Sequence, residues 1–310
     1  LEQGDSVLSV KADVFEILDS ADSGIALDVS RIKSSVGYGK KNLTIISDTV
    51  EYKFAVEFIT RIIDSKAVLD EVFHPVSATV DLGGYYVLSD NIPYNAQFLS
   101  VGGNWVGSGF SEIFTGTLDG RGFAIDGVTI KGYDCGFFVS VGESGVIKNI
   151  SFTNAVFGGT QSWNTKEDST PHTGSTSGGF LTLENRGTVS NVYISVSMSK
   201  AGVGWGSTGM LFQNNYGSFS ECFVAVTGTG ADLLNVRALG GAILSGGSLN
   251  NVYAVDRADY SYSEKGREYE SFAGLTAAGV SFAEWDSSFW KLANGLPLPK
   301  KASVPGNIQI

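Results

Sequence analysis

Charge is scarce in this chain, and positive charge scarcer still. Of its 310 residues 17% are charged, and 21 Lys and Arg stand against 32 Asp and Glu, a net charge of −11. A surface of that sign repels phosphate backbones, which argues against nucleic acid as a partner. Two cysteines, Cys135 and Cys222, are too few for a disulfide framework, and the two histidines, His74 and His172, do not cluster with them, so no zinc signature exists and no cofactor is expected. No run approaches the roughly 20 apolar residues of a membrane helix, which excludes helical membrane insertion. The first residues carry no basic segment leading into an apolar one, as expected of a mature form or a fragment. Six prolines against 40 glycines suit tight corners between short strands, and a hydrophobic content of 43% is that of folded domains.

What the chain does have is an internal repeat. Copies begin at Gly136, Gly179, Gly209 and Gly241, and their second halves read GVIKNISF from Gly145, GTVSNVYI from Gly187, GSFSECFV from Gly217 and GSLNNVYA from Gly247. The equivalent apolar positions Ile147, Val189, Phe219 and Leu249 are 42, 30 and 30 residues apart. One more copy fits upstream with Ile125 in the same place, 22 residues before Ile147. A unit that shortens and swells in this way is one coil of a solenoid carrying variable loops at a fixed corner. Side chains alternating in and out place Ile147, Ile150 and Phe152 on Val189, Val192 and Ile194, and these on Phe219, Cys222 and Val224. Cys222 is thereby read as a core side chain. Asn149, Asn191, Glu221 and Asn251, with Gly127 in the first copy, occupy a position where the left-handed conformation of a sharp corner is expected, with Asn amides bonding from coil to coil.

Residues 1–62 differ. Short apolar or alternating runs at Val7 to Val10, Val14 to Leu18, Ile25 to Val29, Leu43 to Ile46 and Val50 to Ile59 are separated by turn residues, the pattern of a small antiparallel, Ig-like β-sandwich. Residues 63–300 are assigned to the solenoid. At its head, Asp64 or Ser65 can cap a short helix over residues 65–73 whose Val68, Leu69, Val72 and Phe73 share one face, suited to cover the open end of the first coil. At its tail, Phe282, Trp285, Phe289 and Trp290 crowd one stretch, and residues 282–299 are expected to plug the last coil.

The copies GGFLTLENRGTVSNVYISV, GMLFQNNYGSFSECFVAV and GGAILSGGSLNNVYAV resemble the GLUG repeats of bacterial surface proteins. The upstream segments Ile62-Ile63-Asp64-Ser65, Gly83-Gly84-Tyr85-Tyr86-Val87-Leu88 and Phe114-Thr115-Gly116-Thr117-Leu118-Asp119-Gly120, and the closing Trp285 and Trp290-Lys291-Leu292, extend the resemblance over roughly residues 62–300. The chain departs from the pattern where Phe137 and Met210 replace the second Gly of the pair. The resemblance implies an all-β fold, a right-handed parallel β-helix preceded by a bacterial Ig-like domain, in an adhesin that is secreted or held at the cell surface. No catalytic motif defines that family.

Polysaccharide-active enzymes also use β-helices, and a glycosidase needs two carboxylates roughly 5 to 9.5 Å apart. The aligned copies do not supply them: Glu221 lies between Asn191 and Asn251, and Glu184 between Ser140 and Asn214. Asp119 and Asp126 remain, both near Gly-rich corners where Asp is a turn former. The expected function is therefore non-catalytic, with loops presented to a glycan or protein on a host or environmental surface. The loops from Gly158 to Gly178, from Ala201 to Thr208 and from Asp256 to Ser271 nominate Trp163, Trp205, Tyr260, Tyr262 and Tyr269 as aromatic platforms. The alternatives are a phage fibre or capsid decoration protein, since phages combine the same modules, and a polysaccharide-active enzyme built on Asp119 and Asp126.

Overall fold

The computed structural model describes residues 8–9, 15–17, 25–27, 38–47, 50–74, 81–102, 105–106, 109–110, 112–132, 134–158, 161–164, 171–174, 178–198, 208–226, 236–237, 239–256, 268–269, 280–293 and 295–302. They fall into two compact units: residues 1–61 with 84–86, and residues 62–83 with 87–310.

Among the described residues the first unit holds Leu8–Ser9, Phe15–Ile17, Ile25–Leu27 and Val50–Phe58, each within a run read from the sequence, and Gly39–Ser47, which extends past the Leu43 to Ile46 run at both ends. Gly39–Ser47 and Val50–Phe58 pair antiparallel along their whole length, and Phe15–Ile17 pairs antiparallel with Ile25–Leu27. Leu8–Ser9 departs from the antiparallel expectation by running parallel to Leu43 and Thr44. Parallel neighbours need a crossover of a dozen residues or more, and the stretch between Ser9 and Gly39 provides it. Toward the end of the unit, Thr60 and Tyr85 exchange bonds: the Thr60 amide donates to the Tyr85 carbonyl (2.8 Å) and the Tyr85 amide to the Thr60 hydroxyl (2.8 Å).

The second unit is a parallel β-solenoid. Its long sheet stacks Ile92–Gln97, Ala124–Ile130, Val146–Phe157, Thr188–Met198, Ser218–Val226 and Ser248–Asp256, every pair parallel. A shorter sheet stacks Phe138–Val141, Thr182–Asn185, Phe212–Asn215 and Gly240–Ile243, also parallel. Ile147 lies beside Val189, Val189 beside Phe219 and Phe219 beside Leu249, and the Val192–Cys222–Val252 column follows in step. These are the columns expected from the repeat, and Ile147, Ile150, Val189, Val192, Cys222 and Val252 are fully buried. The left-handed corner is present as well, with φ of 52° at Asn149 and Asn191, 50° at Glu221 and 53° at Asn251.

The register of the upstream copy differs from the expectation. Leu118, not Ile125, lies beside Ile147, while Ile125 lies beside Phe152 and Ile92. The interval is therefore 29 residues, close to the 30 of the later coils. Gly127 correspondingly does not occupy the Asn149 position; a Cβ there would lie 2.2 Å from the Asn95 side chain, and Asn95 and Asn154 share its positive φ at a second corner.

Thr117–Asp119 pairs with the first half of Val146–Phe157 and brings Asp119 into the corner ladder. The Asn149 amide donates to Asp119 (3.1 Å) and the Asn191 amide to Asn149 (3.0 Å). A second ladder sits on the short sheet, where the buried Asn185 amide donates to the buried Asn215 (2.9 Å). Each Asn there also accepts the backbone N–H two residues on, from Gly187 and Gly217.

The helix Lys66–Phe73 begins where expected, with the Ser65 hydroxyl accepting from the Val68 amide. It buries Leu69 and Phe73, and the Phe73 ring packs edge-on against Phe114, Phe137 and Phe138 at 5.5 to 6.5 Å. From there an aromatic chain runs inward, Phe137 onto Phe152 (5.1 Å) and Phe152 onto Phe180 (5.5 Å).

The aromatic segment at the tail is not a plug over the last coil. Phe282, Trp285, Phe289, Trp290 and Leu296 pack on Tyr193, Phe223 and Ala225, with Tyr253 and Val255 alongside. Tyr193, Phe223 and Tyr253 form one column on the outward side of the long sheet, opposite in pleat to Val192, Cys222 and Val252. The segment thus lies along the flank. It folds back through the hairpin Trp290–Ala293 and Leu296–Pro299, and Lys301 then reaches the earliest coils, its ammonium over the Phe123 ring and its carbonyl accepting from Asn91. An outward column of three rings would otherwise face water, and covering it removes apolar area from solvent.

Neither Cys135 nor Cys222 is in a disulfide, both are buried, and burial pushes each thiol up to about 12. The neutral thiol is favoured in the folded state, so stability is unaffected below the unfolded-state value near 8.5 and falls as pH rises from there toward the folded value. Neither thiol should react with an aromatic disulfide reagent at pH 8 until the protein unfolds. Rapid labelling of the native protein would contradict this placement.

Candidate binding corner

The long-sheet strands end in register: Ile130 lies beside Phe157, Phe157 beside Met198, and Val226 beside Asp256. The chain re-enters the coils in register too, Cys135 beside Gly178, Gly179 beside Gly209 and Thr208 beside Val236. Each connection between these points therefore leaves from and returns to comparable positions of the coils. Four residues make it after Ile130, twenty after Phe157, and nine each after Met198 and Val226. The twenty-residue connection accounts for the 42-residue interval in the repeat. Within it, Gln161–Asn164 pairs antiparallel with Pro171–Gly174, so the stretch expected as a loop contains a hairpin, with Trp163 opposite His172.

Trp205 follows the strand Thr188–Met198 in sequence, and Tyr260 and Tyr262 follow Ser248–Asp256; all three lie outside the described residues. Tyr269 is in the strand Glu268–Tyr269, which adds to the edge of the long sheet beside Val255. Of the five nominated residues, Trp163 and Tyr269 are thus in described strands, of different sheets. A fifth tryptophan was not nominated: Trp105 pairs with Phe110 across a hairpin inserted between Val101 and Phe114, which both bridge to the short sheet. The signal was Val106-Gly107-Ser108-Gly109, a turn sequence between two short β-prone pairs.

The two carboxylates considered for catalysis are engaged in the fold. Asp119 is 8% exposed; it accepts from the Arg121 amide (2.9 Å) and the Asn149 side chain, and lies 3.5 Å from the Lys148 ammonium. Asp126 accepts from the Thr153 hydroxyl (2.6 Å) and the Asn154 amide (2.7 Å) of the next coil. Such bonds join coils and leave those oxygens committed. Arg186 is likewise bound, donating to Glu184 (2.7 Å) beneath the Tyr216 ring at 4.3 Å, and the Glu184 contact raises its already high pKa further. No group of three His, Cys, Asp or Glu side chains arranged to hold a metal ion occurs among the described residues. No helix among them is long and apolar enough to cross a membrane.

Comparison with protein-family models, with curated proteins and with solved structures finds no match to this chain.

Proposed function

We propose that this chain is a non-catalytic display scaffold, a solenoid whose post-strand corner presents aromatic side chains to a glycan or protein ligand. The observation that supports the reading is sequence order on the stacked sheet: Trp163 follows the strand Val146–Phe157, Trp205 follows Thr188–Met198, and Tyr260 and Tyr262 follow Ser248–Asp256. Stacked strands repeat at about 4.8 Å, a spacing on which connections from several coils can serve one extended ligand. Large, rigid aromatics are the residues that concentrate binding energy at such surfaces. The engagement of Asp119 and Asp126 between coils supports the non-catalytic reading. The resemblance to GLUG-repeat surface proteins supports a right-handed turn, an Ig-like fold for the first unit and a secreted or surface-held adhesin.

The test is a binding screen of the whole chain against glycan and surface-protein arrays. For any ligand found, Trp163→Ala combined with Trp205→Ala is expected to weaken affinity at least tenfold with an unchanged melting temperature. Hydrolysis or elimination on a glycan panel that disappears in Asp119→Asn or Asp126→Asn would overturn the reading.

A further inference from the structure

The flank beneath the tail segment has the makings of a recognition surface. Its apolar column, Tyr193, Phe223 and Tyr253, is distinct from the solenoid interior, whose inward side chains are already buried against one another. The rings of the tail fit it edge to face: Phe282 on Phe223 (5.8 Å) and on Tyr253 (5.7 Å), Trp290 on Tyr193 (6.4 Å). Beside this column runs the corner ladder, and two of its side chains bond to the tail. Asn191 accepts from the Trp290 indole N–H (3.1 Å) and donates to the Asp286 carboxylate (3.2 Å). Glu221, standing where the other coils have Asn, accepts the backbone N–H of Asp286 (2.8 Å).

The resident segment satisfies this surface incompletely. Five buried side-chain polar atoms among the described residues have no hydrogen-bond partner, and three belong to this flank: the Ser151 hydroxyl, the Tyr193 hydroxyl and the Trp285 indole N–H. Ser151 lies beside Tyr193 in the same outward column. Burial raises the Tyr193 pKa, with Ser195 offsetting part of the rise, yet no bond of good geometry reaches the phenol. Releasing the segment would hydrate the Tyr193 phenol and the Trp285 indole, which both sit in the cluster it forms with the sheet, and this lowers the cost of opening; a different segment bringing an acceptor to Tyr193 would hold more tightly.

We propose that this flank is a docking strip for an extended, aromatic-bearing peptide segment of a partner protein, with residues 280–302 as its displaceable resident. The resident defines the partner chemistry: two or three Trp or Phe side chains for the ring column, a backbone N–H for Glu221, and a carboxylate or amide for Asn191. Recognition follows helix-independent peptide docking, in which backbone contacts fix the path and ring pockets select the sequence.

Two measurements on the full chain test this. In native-state hydrogen exchange, the Trp290 and Lys300 amides, which bond to Asp286 and Phe289, are expected to open at least tenfold more often than the Ile194 amide. Exchange of both only together with the coils would overturn the proposal. A labelled synthetic peptide with the sequence of residues 280–302 is expected to bind Trp290→Ala at least tenfold more tightly than the unmodified chain, because the variant loosens its own segment and keeps the strip. A scrambled peptide should not bind, and Glu221→Ala added to Trp290→Ala should weaken binding. Failure of the peptide to bind a Trp290→Ala chain whose circular dichroism retains the coils would also overturn it.

Discussion

Gly187→Ala should unfold the solenoid under conditions where the unmodified chain is fully native, a loss of more than about 4 kcal/mol, the range reserved for gross steric or polar disruption. A Cβ at Gly187 would lie 2.2 Å from the Gly145 carbonyl oxygen, 2.6 Å from that of Gly142 and 2.9 Å from a Val141 methyl. Two of these are backbone atoms, which cannot rotate away. The Gly145 carbonyl also accepts the Thr188 amide (2.9 Å), so retreat from the new methyl breaks a bond that joins the coils. The same close approach recurs one coil on, where the Gly187 carbonyl lies 2.2 Å from where a Cβ would stand on Gly217. The glycine column of the repeat is thus a close approach of backbones propagated from coil to coil. Gly83→Ala is the control: its new methyl would meet side-chain oxygens at 3.5 and 3.7 Å, ordinary contact, and a change within about 1 kcal/mol is expected. Denaturant midpoints for the two variants separate the cases, and a mild phenotype for Gly187→Ala would refute the packing described.

That glycine column was legible in the sequence because the constraint recurs. Wherever each coil imposes the same demand, as at Ile147, Val189 and Phe219 inside or Asn149, Asn191 and Asn251 at the corner, the residue type repeats and alignment finds the register. Legibility failed where one residue type satisfies two demands. Gly120 and Gly127 both suit a corner, and only the pairing of Asp119 with Lys148 and of Asp126 with Thr153 tells which corner each serves. The tail was misplaced for another reason. Its rings advertise a buried destination without naming it, and the last coil was the obvious one. A matching signal lay in the outward column, since Tyr193, Phe223 and Tyr253 alternate with the inward Val192, Cys222 and Val252 and have no reason to be aromatic on a solvated face.

The candidate corner was partly legible through the same reasoning. A 42-residue interval in a 30-residue repeat requires an excursion, and Trp163 sits within it. Which strands Trp205, Tyr260 and Tyr262 follow depends on where strands end, and strand ends are set by pairing with the neighbouring coil instead of by local sequence. The hairpin of Trp105 and Phe110 breaks into the short sheet, where the repeat offers no copy for comparison.

Asn191→Ala should cost about 3 to 5 kcal/mol, with three separable parts. The residue holds φ at 52°, where a Cβ-bearing residue without a bonding side chain pays about 1 kcal/mol or more. Its side chain is the junction of the ladder with the tail, donating to Asn149 and Asp286 and accepting from the buried Trp290 indole. Removing it strands that N–H against an apolar wall, about 1 to 3 kcal/mol, and takes from Asp286 one of the bonds that, after Ser288, hold its carboxyl below the ordinary range. Asn191→Gly should recover only the backbone part, remaining about 1 kcal/mol more stable than Asn191→Ala. Equal losses in the two variants would mean that the corner is not strained. A loss under about 1 kcal/mol in Asn191→Ala would mean that the ladder does not anchor the tail. Tryptophan fluorescence distinguishes where the loss falls: with the anchor gone, Trp290 should become exposed at lower denaturant than the coils unfold by circular dichroism, whereas in the unmodified chain the two transitions lie closer together.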